Sequence, residues 1–320
     1  MKRCVMAVVL LLGGLSLGAA GKDPAYREAR HSGALTRIEL HIADDDGIPV
    51  GNAKVKAFLG MNFRPKGMWV EGLSDTNGIF VVSGKTCGDE IEVFVAKDGY
   101  YGSKVKYCYA TMGAEHEVKD GKWQQYGAKE NIVLRKIKNP IRIVSNEEGR
   151  YDFPIMATNV VIGFDMAKND LVCPYGKGDT ADFYLEFKSD GLPPNASKWS
   201  RLTITYPMPH AAAYEATAFA QTEFKGCYSA ECNRFSATPI VLENRLTGFG
   251  RVKDVLGEKK VVVIRSRCKV DEQGRLLSAN YSILDHLSFS TAFNKPGSCR
   301  IIYHFNPKPN DTNLEFLRGP

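Results

Sequence analysis

The residues able to do chemistry are scattered through this 320-residue chain, and their spacing argues against the common active sites. The six histidines show no HExxH pair or other two-histidine spacing, so the sequence predicts no metalloprotease centre. His41 and His304 fall on the polar faces of predicted strands, His31 and His116 fall in polar connections, and His210 reads as a surface or capping residue. No GxSxG string is present to hold a serine on a strained turn. Gly84, Lys85 and Thr86 look like the end of a phosphate loop, but the preceding Gly78 is one position too early. The segment also runs on into Cys87, Gly88 and Asp89 rather than into a helix whose first amides would face an anion. Asp44, Asp45 and Asp46 offer oxygens to calcium, yet neighbours in an extended chain point to opposite faces, so the triplet reads as a solvated turn. No catalytic, cofactor-binding or metal-binding residue is assigned.

The loop Cys173 to Asp182 is the most distinctive candidate for ligand contact, because Tyr175, Lys177, Asp179 and Asp182 stand among glycines between two strands. Its plainer reading is a structural turn with Asp182 on the outer face.

Cysteines speak to the compartment. Cys4 lies in the leader described below, which leaves Cys87, Cys108, Cys173, Cys227, Cys232, Cys268 and Cys299. Disulfides are expected for a chain exported to an oxidising space, and an odd count leaves one thiol over. By alternation Cys268 shares a strand face with Val262 and Ile264, and Cys299 shares one with Ile301 and Tyr303, so these two are expected to pair in one core. Cys227 with Cys232, and Cys87 with Cys108, are the other candidate pairs, with Cys173 unpaired. No CxxC pair suggests zinc.

Lys2 and Arg3, the apolar run Val5 to Leu17 and the small residues Gly18, Ala19 and Ala20 have the layout of a cleaved signal peptide over 1–20, too short and glycine-interrupted for a span. The expected location is secreted, periplasmic or cell-surface, with no membrane span after cleavage. The formal net charge is +6, two of it in the leader, and lysines alternate with acids. That pattern is too weak for a nucleic-acid footprint.

Stepping from these residues to the elements that hold them, apolar side chains recur at every second position. Ile38, Leu40 and Ile42 alternate with Arg37, Glu39 and His41, and Val55, Ala57 and Leu59 alternate with Lys54 and Lys56, which predicts a hairpin or two loop-linked strands. Further strands are expected at 78–83, 90–96, 104–109 and 131–137, the signature of an antiparallel sandwich. After a polar linker over 141–150 the second half repeats the pattern at 160–165, 181–188, 201–206, 238–243, 260–270, 276–283 and 300–305. Only Ala211 to Phe224 is alanine-rich enough to suggest a helix, with an extended strand as the competing reading. Asn195, Asn280 and Asn310 open Asn-x-Ser/Thr triplets, glycan acceptors only in a eukaryotic secretory route.

The run Asp46 to Val55, then Ser74, Asp75, Thr76, Asn77, Gly78, Ile79, Phe80, then Lys97, Asp98, Gly99, Tyr100, Tyr101, resembles the carboxypeptidase regulatory-like domain. That resemblance covers about residues 34–138 and implies a prealbumin (transthyretin-like) sandwich that serves as an accessory module without shared catalytic residues. The second half resembles a group of secreted bacterial proteins of unassigned function through Cys173 to Gly178, Asn233 to Phe235, Glu243 to Gly248 and Tyr303 to Phe316.

The expectation is thus an all-β chain: a linker over 21–33, a transthyretin-like antiparallel β-sandwich over 34–140, and a second β-rich, sandwich-like domain over 151–320. Its function is expected to be non-catalytic binding or structure, with loops presented to a glycan or a surface protein. A secreted hydrolase built from second-domain loops is the alternative.

Overall fold

The computed structural model describes residues 24–317, apart from 61–66, 110–117, 148, 150–151, 156, 191–198, 248–249, 254, 257–258 and 291–296. The leader and Asn195 lie outside the described residues. One helix is described, α1 (Pro24–Ser32), and it occupies most of the stretch expected to be a linker. Its Tyr26 and Ala29, three residues apart on one face, are buried, and the Tyr26 ring stands edge-on to Trp123 at 5.9 Å.

The strands of the first half are β1 (Ala34–Asp44), β2 (Lys54–Leu59), β3 (Met68–Leu73), β4 (Ile79–Thr86), β5 (Glu90–Ala96), β6 (Tyr100–Tyr101), β7 (Ser103–Cys108), β8 (Val118–Lys119), β9 (Lys122–Trp123) and β10 (Ala128–Lys136). They form two sheets. One runs β6-β10-β1-β9-β8 with β4 also on β1, and the other runs β3-β2-β5-β7. The two alternating segments expected as neighbours therefore sit in opposite sheets. Ile38, Leu40 and Ile42 of β1 meet Val55, Ala57 and Leu59 of β2 across the core rather than along a ladder. Each such side chain contributes about 1.5–3 kcal/mol of burial. The pairing is not wholly antiparallel, because β1 runs parallel to β10 from Ile38↔Ala128 to Asp44↔Leu134.

The second half contains β11 (Val144–Ser145), β12 (Asp152–Pro154), β13 (Val161–Asp165), β14 (Asp170–Leu171), β15 (Phe183–Ser189), β16 (Trp199–Thr205), β17 (Ala212–Thr217), β18 (Ile240–Thr247), β19 (Gly250–Lys253), β20 (Lys260–Val270), β21 (Leu276–Ser290) and β22 (Ser298–Asn306). The alanine-rich segment is thus strand β17 followed by irregular chain. The sheet β11-β22-β21-β20-β17, with β12 also on β22, packs on the sheet β14-β13-β15-β16-β18-β19. The chain is all-β and sandwich-like. The sheet containing β20 is covered on its other face too, by Phe224, Leu314 and Phe316 among others, which is why Val261 to Ile264 are buried without alternation.

That second layer also joins the halves. Tyr101 of β6 packs on Phe224 at 5.1 Å, and its hydroxyl donates to buried Glu315 at 3.0 Å. Glu315 also accepts the backbone N–H groups of Lys138 and Asn139 at 2.7 and 2.6 Å, tying the chain crossover to the C-terminal segment. Arg135 is 2 % exposed, with its guanidinium 4.3 Å from the rings of Phe219 and Tyr228 and 4.6 Å from that of Phe224. It donates to the carbonyls of Phe224 and Gly226 and lies 3.6 Å from Asp45. The acidic triplet does form a turn with Asp46 exposed, but its first two members are drawn inward. Asp44 is buried and bonded to Lys136 at 2.7 Å, and Asp45 accepts from the Tyr228 hydroxyl at 3.1 Å.

All seven described cysteines are free thiols, which corrects the expected pairs Cys87–Cys108, Cys227–Cys232 and Cys268–Cys299. For the last pair the reason is visible. Register shifts between Ser266 and Lys269, where Arg267 adopts φ +51°, so the alternation inverts and Cys268 turns to the layer of Val261 and Val263. Cys299 lies in the other core with Val262 and Ile264. We expect a native thiol reagent to label the exposed Cys108, Cys173 and Cys232 rapidly and the buried Cys87 and Cys299 only on unfolding. Burial pushes the Cys299 thiol upward, which removes thiolate as well as access. Mass mapping of labelled peptides reads the order, and a native cross-link at Cys268–Cys299 would contradict it.

Candidate functional site

The outer face of the sheet β3-β2-β5-β7 is built by simple alternation. With Val55, Ala57 and Leu59 turned into the core, β2 presents Lys54, Lys56 and Phe58 outward. Cross-strand register then places Lys56 between Glu71 and Phe94, with Lys104 beyond, and places Phe58 between Trp69 and Glu92, with Lys106 beyond. The result is a lattice of lysines and aromatic rings. Phe58 and Trp69 lie 5.1 Å apart, Trp69 and Phe94 6.1 Å, and the Lys104 ammonium stands 4.9 Å over the Phe94 ring.

Trp69 is 49 % exposed and Leu73, on the same face, 57 %. Both belong to edge strand β3, where an uncovered apolar group is a liability unless it binds something. Acids balance part of the charge: Lys56 pairs with Glu71 at 3.2 Å, Lys104 with Glu92 at 3.3 Å, and Lys106 with Glu90 at 3.0 Å. The hydrogen bond that Lys106 donates to Glu90 raises the ammonium above its ordinary value.

At β7 the face continues into the second half. The Lys104 N–H donates to the Gln221 carbonyl at 2.8 Å, Ser103 forms a bridge with Thr222, and the Glu223 N–H donates to Gly102 at 2.9 Å. The Gly102 N–H returns a bond to the Glu223 carboxylate at 3.0 Å, and a Cβ at Gly102 would stand 3.1 Å from that carboxylate, so only glycine fits without displacement. This added segment forms one bank of a groove of about 700 Å³. Its lining residues include Lys54, Lys56, Lys104 and Lys106, the Phe94 ring and Glu223. Glu71, Glu92 and Glu90 each pair with one of these lysines, so the open, aromatic-floored trough presents alternating charges with the ammonium groups on β2 and β7, a pattern suited to an extended ligand bearing spaced negative groups.

The loop singled out from sequence is bound into the scaffold. Asp165 accepts the backbone N–H groups of Asp179 and Thr180 at 3.0 and 3.1 Å, and Asp170 accepts that of Lys177 at 3.0 Å. Lys177 and Asp179 are exposed, with Asp179 paired to Lys168 at 2.6 Å, while half-buried Tyr175 packs on the core. Asp182 is fully buried rather than on an outer face. Its carboxylate accepts from the Ser266 hydroxyl at 2.7 Å, the Met166 N–H at 2.7 Å, and Arg267 at 2.9 and 3.0 Å. The bulge that inverts Cys268 also aims Arg267 at Asp165 and Asp182.

His210 occupies an exposed turn, its Nε2 2.7 Å from the Gly274 carbonyl oxygen. His304 is 1 % exposed, which corrects its placement on a polar face: alternation is right, but Phe316 stacks on the ring at 3.8 Å and closes that side. Asn280 is buried and donates to Asn306, so it cannot accept a glycan in the fold, whereas Asn310 is at the surface. Sequence reasoning missed the groove because its two banks are about 120 residues apart. The available signal was the pattern of Lys54, Lys56, Lys104 and Lys106 opposite buried positions.

No known family profile matches the chain, and no curated protein matches it. Among solved structures it is similar to 3-chlorocatechol 1,2-dioxygenase from Rhodococcus opacus 1CP (12 % identity, TM-score 0.27, 33 % of this chain and 62 % of that one). It is also similar to catechol 1,2-dioxygenase from Acinetobacter radioresistens (14 %, 0.27, 33 % and 53 %) and to hydroxyquinol 1,2-dioxygenase from Pseudomonas putida DLL-E4 (12 %, 0.25, 33 % and 57 %). The chain thus spans less than two thirds of each of these enzymes. At such scores the likeness carries no argument about activity.

Proposed function

We propose that this protein is a secreted, periplasmic or cell-surface binding protein without catalysis of its own, and that its groove and the adjoining Trp69 face hold an acidic polysaccharide. The observation that carries the reading is the array of Lys54, Lys56, Lys104 and Lys106 along one trough beside the Phe58, Trp69 and Phe94 rings. Ammonium groups attract carboxylate or sulfate substituents, and aromatic faces pack on the apolar faces of sugar rings. The first half supplies most of this surface, in keeping with the accessory role that its regulatory-like resemblance implies. A hydrolase would instead need converging acids with displaced pKa values, and the trough gathers ammonium groups.

Affinity electrophoresis against polygalacturonate, chondroitin sulfate and neutral dextran tests the proposal. The protein is expected to be retarded by the acidic polymers alone, less so as salt rises. The double variant Lys56→Ala/Lys104→Ala is expected to lose about tenfold in affinity, as is Trp69→Ala, each about 1.4 kcal/mol. Equal retardation by dextran, or variants that bind as well as the parent, would overturn the reading. Release of reducing ends from any of the polymers would overturn its non-catalytic part.

A further inference from the structure

Behind the groove, Lys225 reaches away from the trough toward a buried acid, its Nζ 3.3 Å from Asp285 Oδ2. Asp285 falls at a register shift between Leu284 and His286. His304 on β22, whose register partner is Ile283, places its Nε2 3.8 Å from the same oxygen, and Glu147 follows the short strand β11 that pairs with β22. One donor atom from each of Glu147, Asp285 and His304 lies within 4.8 Å of the others.

The imidazole carries the argument further than the acids do. Neither ring nitrogen of His304 has a hydrogen-bond partner, although the residue is 99 % shielded and its ring is fixed against Phe316. A buried polar group left unbonded is costly, and the Lys225–Asp285 pair does nothing for it. We propose that Glu147, Asp285 and His304 form a binding site for a divalent cation of the zinc or manganese class. One imidazole nitrogen and two carboxylates suit such ions, and water fills the remaining positions. Ligand atoms about 2.1 Å from an ion sit roughly 3.4 Å apart, so the three groups need to close by up to about 1.4 Å. One Asp285 oxygen already faces a cation, Lys225, and the His304 ring together. Lys225 is the resident competitor, and as a partly exposed side chain it can swing toward the groove when an ion enters. The ligands come from 147, 285 and 304, so no short motif announces them.

The test uses the full chain freed of metal with a chelator, then titrated calorimetrically with Zn²⁺ and optically with Co²⁺. One equivalent is expected to bind at about micromolar strength, with a visible Co²⁺ band characteristic of mixed nitrogen and oxygen ligation. Lys225→Met is expected to tighten binding about tenfold by removing the competing charge, and Glu147→Gln to weaken it about tenfold. His304→Gln is expected to abolish the Co²⁺ band. If that buried substitution prevents folding, Glu147→Gln and Lys225→Met decide alone, since Glu147 is only half-buried. Absence of stoichiometric uptake in both the parent and Lys225→Met, or uptake indifferent to Glu147→Gln, would sink the proposal. Polysaccharide binding is a separate readout, so failure here is distinguishable from failure of the groove.

Discussion

Replacing Arg135 with alanine is expected to destabilise the protein by about 3–5 kcal/mol, the range for breaking a buried charged constellation by removing one member. The guanidinium fills a box of three aromatic rings, donates to two carbonyls of the 224–226 turn, and is the cation nearest Asp45. Its loss opens a cavity, strands two buried carbonyls, and leaves the Asp45 carboxylate, which is 11 % exposed, without that charge. Because the box joins a strand of the first sandwich to a turn of the second half, uncoupling should accompany the loss. A urea melt of the parent is expected to be a single transition, and that of Arg135→Ala to split or broaden. A variant melting within about 0.5 kcal/mol of the parent would show that the box contributes little.

Asp182→Ala is expected to cost a similar amount, about 3–5 kcal/mol, because it leaves the Arg267 guanidinium and the Ser266 hydroxyl facing a void beneath the cysteine loop. The same cluster should set the acid limit of the fold. Burial acts to raise the Asp165 carboxyl, but the N–H groups of Asp179, Thr180 and Lys168 and the Arg267 charge prevail, and it titrates below its ordinary value. With the folded value depressed, the unfolded chain takes up the proton first as pH falls. The stability from this site is therefore complete above about pH 4 and drains away as pH drops through the folded value. Denaturation followed from pH 7 to pH 2 should show this loss in the parent and a flatter profile in Asp165→Asn, which starts from a lower stability. An equal slope in both would assign the acid sensitivity elsewhere.

Much of the architecture was legible because it rests on the two-residue period of strands. Ile38, Leu40, Ile42, Val55, Ala57 and Leu59 are all buried where alternation puts them, and the span 260–270 matches β20 to the residue. Period-two reasoning failed at one bulge. At Arg267 the inversion moved Cys268 to the opposite layer and brought a cation onto Asp182. Nothing in the local composition marks that position. Residues 141–150 also contain a strand, since β11 pairs with β22 through Val144 and Ser145.

The junction escaped the sequence for a different reason. Asp44, Arg135 and Glu315 are charged residues of kinds that usually sit at surfaces, and each is buried only because another part of the chain covers it. The apolar Leu314 and Phe316 near the C-terminus were the available hint that a second layer lies over the sheet of β20. The groove inherits the same difficulty, since Ala220 to Glu223 form its second bank only once that layer is in place.

If the trough holds an acidic polymer as proposed, the aromatic box around Arg135 bears on which polymers it accepts. A hinge between the sandwiches would let the banks of the trough drift, so that polymers of many charge densities could be accommodated at an entropic cost on each encounter. A pinned junction makes the array of cations a ruler instead. Chains whose acidic groups recur at the matching interval meet every cation at once, and those with another repeat fall out of step after the first contact.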